Sequence, residues 1–218
     1  MVRPKLLDLF CCAGGCSVGY ARAGFDVVGV DLAPQPDYPF EFHRADALRY
    51  PLTGFQAIAA SPPCKLHTAL RHRVDTASTL FEIHVDHIPE VRARLVDSGV
   101  PYVIENVPGA PLLEPVTYCG SSFGLSVRRH RLFETNWRLV PPPCDHASQP
   151  VVLGVYGTGG ADAGRAVRGG GGGRKVSGAV AALALGIDWT LDQRRLSQAI
   201  PPAYTEHIGR QLLEVVAV

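Results

Sequence analysis

The sequence has little net charge. Twenty-one Lys and Arg against twenty Asp and Glu leave a formal +1. A uniformly basic surface for nucleic acid is therefore excluded, and any polyanion contact must come from local clusters of Arg and Lys. Long hydrophobic runs are missing as well. The longest apolar stretches are too short to span a bilayer, and only Leu6 and Leu7 separate Lys5 from Asp8, so no signal peptide is visible. A cytoplasmic protein without membrane association is expected. The six cysteines show no Cys-x-x-Cys spacing and are read as reduced thiols. No Gly-Lys-Ser/Thr follows the glycine turn, which excludes a P-loop, and Gly-x-Gly-x-x-Gly is not cleanly matched. There is no internal repeat. A length of 218 residues with 46% apolar content suits one domain with an ample core.

What is present is concentrated in two stretches. Asp8-Leu-Phe-Cys-Cys-Ala-Gly-Gly-Cys-Ser-Val-Gly19 reads as a strand running into a glycine turn and a helix. Ser61-Pro-Pro-Cys64 reads as a strand end that presents a thiol on a rigid turn. Around them, strands are expected over 5–10, 26–31, 40–44, 57–61 and 101–107. Residues 17–23 are expected to be helical, with Ser17 able to cap and Gly24 ending the segment. A longer helix is expected over 80–97, divided or kinked at Pro89. Residues 65–77, rich in His and Arg, read as a loop. Residues 116–139 read as two strands around 120–124. Residues 162–175 contain five consecutive glycines between arginines and are expected to be mobile. Closing helices are expected at 180–185 and 204–216. Strands alternating with helices predict an α/β, mostly parallel sheet.

Each stretch offers a chemistry. A helix N-terminus behind glycines presents free amides and a positive dipole end to an anionic group. An acid ending the next strand, here Asp31, suits a ribose diol, and Asp46 after the third strand could take an adenine amino group. A thiolate is the strongest common side-chain nucleophile, and two prolines hold Cys64 at the carboxyl edge of the sheet, where open α/β sheets bind ligands. Glu105-Asn106-Val107 closes another buried strand and brings a carboxyl to that edge. In Arg128-Arg-His-Arg131, alternation would put Arg129 and Arg131 on one side of a strand. A second Pro-Pro-Cys, ending at Cys144, follows a polar boundary and is assigned no chemistry. His84 and His87 read as a solvated helix face. Cys144-Asp-His146 with Cys119 offers metal-ligand side chains, but at no known spacing, and no metal is assigned. Trp137 and Trp189 read as packing residues.

Taken in order, these segments resemble the DNA cytosine-5 methyltransferases. Residues 8–25 look like that family's first motif and 61–64 its Pro-Cys motif. Residues 105–107 look like its Glu-Asn-Val motif and 127–131 its Gln-x-Arg-x-Arg motif. Ser197-Gln-Ala-Ile-Pro-Pro202 looks like the closing motif. Three departures stand out: Cys12 occupies a usual glycine, Val127 a usual glutamine, and Ser197-Gln198 a usual Gly-Asn.

The resemblance implies a Rossmann-like class I S-adenosylmethionine-dependent methyltransferase fold, with helices on both faces of a mostly parallel sheet and a reduced target-recognition region. Residues 1–140 and 177–218 would form the catalytic core and 141–176 the recognition segment. It implies transfer of methyl from S-adenosyl-L-methionine to carbon 5 of a flipped cytosine in double-stranded DNA, within a short sequence context. Cys64, Glu105, Arg129 and Arg131 would be catalytic. Phe10, Ala13, Gly14, Gly15, Asp31, Leu32, Asp46, Ala47, Pro62, Gln198 and Ala199 would hold the cofactor. His67, Arg71, Arg73, Arg165, Arg168, Arg174 and Lys175 would contact nucleic acid. The compact form looks like phage or mobile-element enzymes, placing the protein in a bacterial or phage-infected cytoplasm with no obligate protein partner. Two alternatives remain: an RNA (tRNA) cytosine-5 methyltransferase, and a catalytically silent nucleic-acid-binding relative.

Overall fold

The structure, a computed structural model, describes residues 2–64, 66–67, 85–155 and 174–217, with only the backbone at 174–175. Seven strands form one sheet. They are β1 (Lys5–Leu9), β2 (Asp26–Asp31), β3 (Glu41–Arg44), β4 (Ala57–Ala60), β5 (Tyr102–Asn106), β6 (Val116–Tyr118) and β7 (Arg131–Thr135). Their order is β3-β2-β1-β4-β5-β7-β6. The first five run parallel, and β7 lies antiparallel to both β5 and β6. A two-stranded parallel ribbon, β8 (Leu153–Gly154) with β9 (Arg174–Lys175), stands apart.

Alternation along the strands divides the core in two. Leu6, Val27, Ala57, Ala59, Val103 and Phe133 face α1 (Gly15–Ala23) and α5 (Pro202–Val216), where Tyr20, Tyr204, Ile208 and Leu212 complete one cluster. Leu7, Leu9, Val28, Val30, Ile58, Ala60 and Ile104 face the other way, onto Ile88, Val91 and Leu95 of α2 (Ile88–Ser98). A sheet buried on both faces explains why these strands read as continuous apolar runs. A third cluster joins α3 (Gly178–Leu185) and α4 (Gln193–Gln198) through Leu185, Leu196 and Ala199, with Val127 and Val155.

The α1–α5 contact sets the position of the chain's two ends. A Cβ on Gly15 would lie 2.4 Å from the Ile200 carbonyl oxygen, and one on Gly19 would lie 2.0 Å from Thr205 Oγ1. The Thr205 hydroxyl donates to the Cys16 carbonyl at 2.9 Å. These glycines let two backbones approach and bring residues 197–202 beside the turn that opens α1.

Three expectations change. Ser17 does not cap α1: the helix opens at Gly15 after Gly14 in the left-handed region, and Ser17 is an interior, fully buried residue. Pro89 does not kink a helix spanning 80–97. Residues 85–87 are not helical, and Pro89 sits in the first turn of α2, where its missing N–H costs nothing. Arg129 is not on a strand. It has φ 38°, and β7 begins only at Arg131. The expected 65–77 loop and 162–175 glycine segment lie almost wholly outside the described residues.

Candidate active site

The carboxyl edge of the parallel strands gathers the candidate residues, and β7 explains how an arginine joins them. An antiparallel strand starts where its parallel neighbours end. Glu105 pairs with Phe133, and the strand's first residue, Arg131, therefore lies at the edge where β5 terminates. Arg131 Nε is 3.1 Å from Glu105 Oε1, and both side chains are nearly excluded from solvent. Arg129, 2% exposed, donates to the Ser197 carbonyl at 2.7 Å, tying it to the closing segment. Its left-handed backbone is held by Tyr204, whose hydroxyl lies within hydrogen-bond distance of the Arg128 and Arg129 carbonyls at 3.1 and 3.0 Å.

Cys64 ends an extended segment beyond β4. The Ser61 amide donates to the Leu9 carbonyl at 3.1 Å, continuing the sheet pairing. Asn106 Nδ2 donates to the Pro62 carbonyl at 3.0 Å, while its own Oδ1 accepts from the Val107 amide at 2.9 Å. Asn106 thus clamps the Pro-Pro-Cys turn onto the end of β5. The His67 amide donates to the Cys64 carbonyl at 2.9 Å and closes the turn from the far side. Cys64 itself is half-buried. Burial pushes its thiol above the ordinary value and the Glu105 charge adds to this, while Arg131 and Arg129 pull it back. Burial likewise raises the Glu105 carboxyl, opposed by Arg131, Ser61 and Arg129. The pair is thereby biased toward thiol and carboxylic acid, with two guanidiniums able to favour the ionised forms.

The glycine-turn end has a different electrostatic character. Asp31 Oδ2 accepts from the Cys12 amide at 3.0 Å and Oδ1 from the Ala33 amide at 2.9 Å, so the carboxylate is fixed yet each oxygen keeps a lone pair. Leu32 beside it is 70% exposed, an apolar platform at the sheet edge. Asp46 Oδ1 accepts from the Leu48 amide at 2.9 Å, and Ala47 is buried. Phe10 and Cys12 both have positive φ, 59° and 47°. The Cys12 side chain therefore sits in the backbone conformation that glycine adopts without cost. The Ala13 carbonyl accepts from Trp189 Nε1 at 2.7 Å, which seats the C-terminal part against the turn. Asp37 pairs with Arg195 and accepts from the Thr190 hydroxyl, reinforcing the same closure. Ala199 is buried and Gln198 exposed at this junction.

Sequence reasoning missed one group beneath the turn. Asp8, fully buried in β1, accepts from the Ser17 hydroxyl, which accepts in turn from Tyr38 at 2.8 Å. Burial, with lesser contributions from Asp31 and Glu105, raises the Asp8 carboxyl to about 7. An acid inside a buried strand pattern is the available signal.

Of the candidate nucleic-acid contacts, His67 alone has a described side chain. His67 Nε2 lies 3.3 Å from Asp86 Oδ1 and its side chain is 14% exposed, so this imidazole already faces a carboxylate. Arg71, Arg73, Arg165 and Arg168 lie outside the described residues, and Arg174 and Lys175 are placed only as backbone in β9.

This strand order, with its antiparallel seventh strand inside the edge, is the Rossmann-like fold of class I S-adenosylmethionine-dependent methyltransferases. Solved structures share it along their whole length. A chain encoded within a prophage (E. coli) and described as a DNA modification methyltransferase superposes with a TM-score of 0.64 at 14% identity, over 99% of this chain and 100% of that one. The Dnmt2 methyltransferase of S. pombe gives 0.65 at 12% identity, with 99% and 100% covered. The Entamoeba histolytica methyltransferase EhMeth gives 0.61 at 9%, with 99% of each chain covered. No family model matches the sequence, and no curated protein matches it.

Proposed function

We propose that this chain is an S-adenosylmethionine-dependent methyltransferase that modifies carbon 5 of cytosine in DNA, using Cys64 as a covalent nucleophile. The observation that carries the reading is the buried Glu105–Arg131 pair on the sheet edge where the clamped Pro-Pro-Cys turn presents Cys64. A binding module needs neither a presented thiol nor a buried carboxyl beside it. The DNA substrate draws support from the prophage-encoded neighbour described as a DNA modification methyltransferase.

The residues present suit the cofactor. Asp31 lies close enough for its charge to act on Asp8 beneath the turn, and a carboxylate at that place favours a cationic sulfonium. Asp31 keeps acceptor capacity for a ribose diol, Leu32 offers an exposed apolar face for a purine, and Gly14 and Gly15 open the helix N-terminus toward a carboxylate. Asp46, Ala47, Phe10, Ala13, Pro62, Gln198 and Ala199 would complete the binding site. S-adenosylmethionine supplies an electrophilic methyl group.

The chain's own residues make the base able to receive it. Cytosine carbon 5 is a weak nucleophile until carbon 6 is attacked. The Cys64 thiolate adds there, and Glu105, whose burial favours the carboxylic acid, donates to ring nitrogen 3 so that negative charge does not accumulate. Arg131 holds the Glu105 carboxyl in place, and Arg129 binds the ring oxygen or the adjacent backbone. Once carbon 5 carries the methyl group, a base takes the carbon-5 proton, the carbon 6–sulfur bond breaks to release Cys64 as thiolate, and ring nitrogen 3 returns its proton to Glu105, restoring the ring. The base must leave the duplex stack to reach these groups. Arg71, Arg73, Arg165, Arg168, Arg174 and Lys175 would contact phosphates, and the short 141–176 stretch would read few bases.

The test is methyl transfer from labelled S-adenosylmethionine to unmethylated duplex DNA beside Cys64→Ala, with the product mapped by sequence. DNA carrying 5-fluorocytosine should trap the wild-type chain covalently and leave the variant free. Transfer to tRNA but not to DNA would move the substrate to RNA. Absence of cofactor binding would refute the enzymatic reading altogether.

A further inference from the structure

The proposed methyl transfer leaves one side-chain cluster unused. Cys119 follows β6, His130 precedes β7, and Cys144 and His146 lie in the loop after the 141–143 proline run. Their four ligand atoms all fall within 4.8 Å of one another, and among the described residues no other group of this kind converges. Cys144 Sγ is 3.0 Å from His146 Nε2 and 3.5 Å from His130 Nε2, and Cys119 Sγ is 3.3 Å from His146 Nε2. Tetrahedral zinc with sulfur at about 2.3 Å and nitrogen at about 2.0–2.1 Å requires sulfur–nitrogen separations of about 3.5 Å. The three observed separations reach that value or fall within about half an ångström of it.

We propose that Cys119, His130, Cys144 and His146 form a structural zinc site that anchors the loop after β7 to the carboxyl edge of the β6–β7 pair. Two thiolates and two imidazoles are the donor set that selects zinc among common divalent ions. Four protein ligands leave no open position, so the ion holds structure and carries no chemistry. Support behind the ligands is present. The Ser121 hydroxyl donates to Cys119 Sγ at 3.1 Å and accepts from the Asp145 amide at 3.0 Å, coupling both halves of the site. The consequence lies one residue away on each side of His130: Arg129 and Arg131 are the arginines of the candidate active site. Zinc would fix the backbone between them from behind. It would also fix the start of the segment leading to the β8–β9 ribbon. The second Pro-Pro-Cys thus has a use unlike the first, as a ligand turn and not a nucleophile turn.

The site is tested without any activity assay. The full chain, expressed in zinc-supplemented medium, should carry one zinc per chain by native mass spectrometry and elemental analysis. Exchange for cobalt(II) should give the intense visible bands of a tetrahedral ion together with thiolate-to-metal charge transfer. Cys144→Ser, an exposed position, should weaken zinc by more than about 100-fold, beyond what loss of an outer partner costs. Cys64→Ser should leave stoichiometry and spectrum unchanged. Three outcomes overturn the proposal: a chain that binds no zinc on reconstitution, a cobalt spectrum of six-coordinate character, or a Cys119–Cys144 disulfide in place of metal. The cobalt spectrum of the unaltered chain decides the matter if Cys144→Ser fails to fold.

Discussion

Replacing Asp8 with asparagine should stabilise the protein at pH 8 relative to the unaltered chain by more than it does at pH 5. Asp8 is fully buried; one carboxyl oxygen accepts from Ser17, and the other has no hydrogen-bond partner among the described residues. Its folded-state value of about 7 stands above the ordinary 3.8. The folded state therefore retains a proton that the unfolded chain has released, and stability from this group falls as pH rises from about 4 to 7. The full difference corresponds to about 4 kcal/mol, of which some 2–3 kcal/mol accrues between pH 5 and 8. The asparagine side chain keeps an acceptor for Ser17 and never ionises. Its amide, like the protonated acid, leaves a donor beside the unpartnered position, so the two chains differ least where Asp8 is protonated. Urea unfolding of both chains at several pH values reads the gap directly, and it should widen by about 2–3 kcal/mol across that range. In a heat scan the widening amounts to roughly 5–10 °C. A gap that stays constant from pH 5 to 8 would refute the assignment of a protonated Asp8 to the folded state.

Three further expectations follow from the same contacts. Gly19→Ala, a change that ordinarily stabilises a helix interior by about 1 kcal/mol, should here destabilise by about 1–3 kcal/mol. The new Cβ meets Thr205 Oγ1 and the Pro202 carbonyl, and urea unfolding measures the reversed sign. Asn106→Ala removes the bond that holds the Pro62–Cys64 turn to β5, together with the one Asn106 accepts from the Val107 amide. It should cost about 1–3 kcal/mol in urea unfolding and lower the rate of covalent trapping more than cofactor affinity, measured by calorimetry. Glu105→Gln should change the shape of the pH profile. With Glu105 and Cys64 both raised, reaction through thiolate and carboxylic acid is nearly pH-independent between their two values, because each gain in thiolate is matched by a loss of acid. With Gln the trapping rate, though lower, should climb about tenfold per pH unit below the thiol's value, and a profile that stays flat would refute the donor role.

How much of this is legible in the sequence depends on the range over which each feature is determined. The parallel strands, the glycine turn and the two edge carboxylates Asp31 and Glu105 are local: strand-length apolar runs ending at turn residues place them within a residue or two of their positions in the fold. Arg129 departs from its expected strand because its conformation is set from a distance. Alternation in the 128–131 run suggests a strand, but Tyr204, some 75 residues later, holds the Arg128 and Arg129 carbonyls and keeps Arg129 in the left-handed region. Ser17 departs from a capping role for a similar reason. Its hydroxyl serves Asp8 across the sheet–helix contact, and the glycines on α1 that permit close docking of α5 are packing requirements invisible to a capping rule.

The cluster of Cys119, His130, Cys144 and His146 is assembled by strand pairing and not by spacing along the chain. Cys119, His130, Cys144 and His146 match no known ligand spacing, and spacing alone assigns no metal. Yet the two strands over 116–139 are expected as a pair. Their register sets Tyr118 opposite Arg131, and in any antiparallel pair the residue leaving one strand then lies beside the residue entering the other. That relation brings Cys119 next to His130 before any side chain is considered. A turn rigidified by two prolines need only swing back for Cys144 and His146 to complete a Cys2His2 set. Ligand spacing along a chain is informative only where the intervening segment has one conformation. Where strands intervene, the relevant spacing is the register, and here neither the register nor the return of the loop is local: strands read directly around 120–124 would leave Cys119 at the turn, whereas β7 begins only at Arg131 and sets Cys119 beside His130.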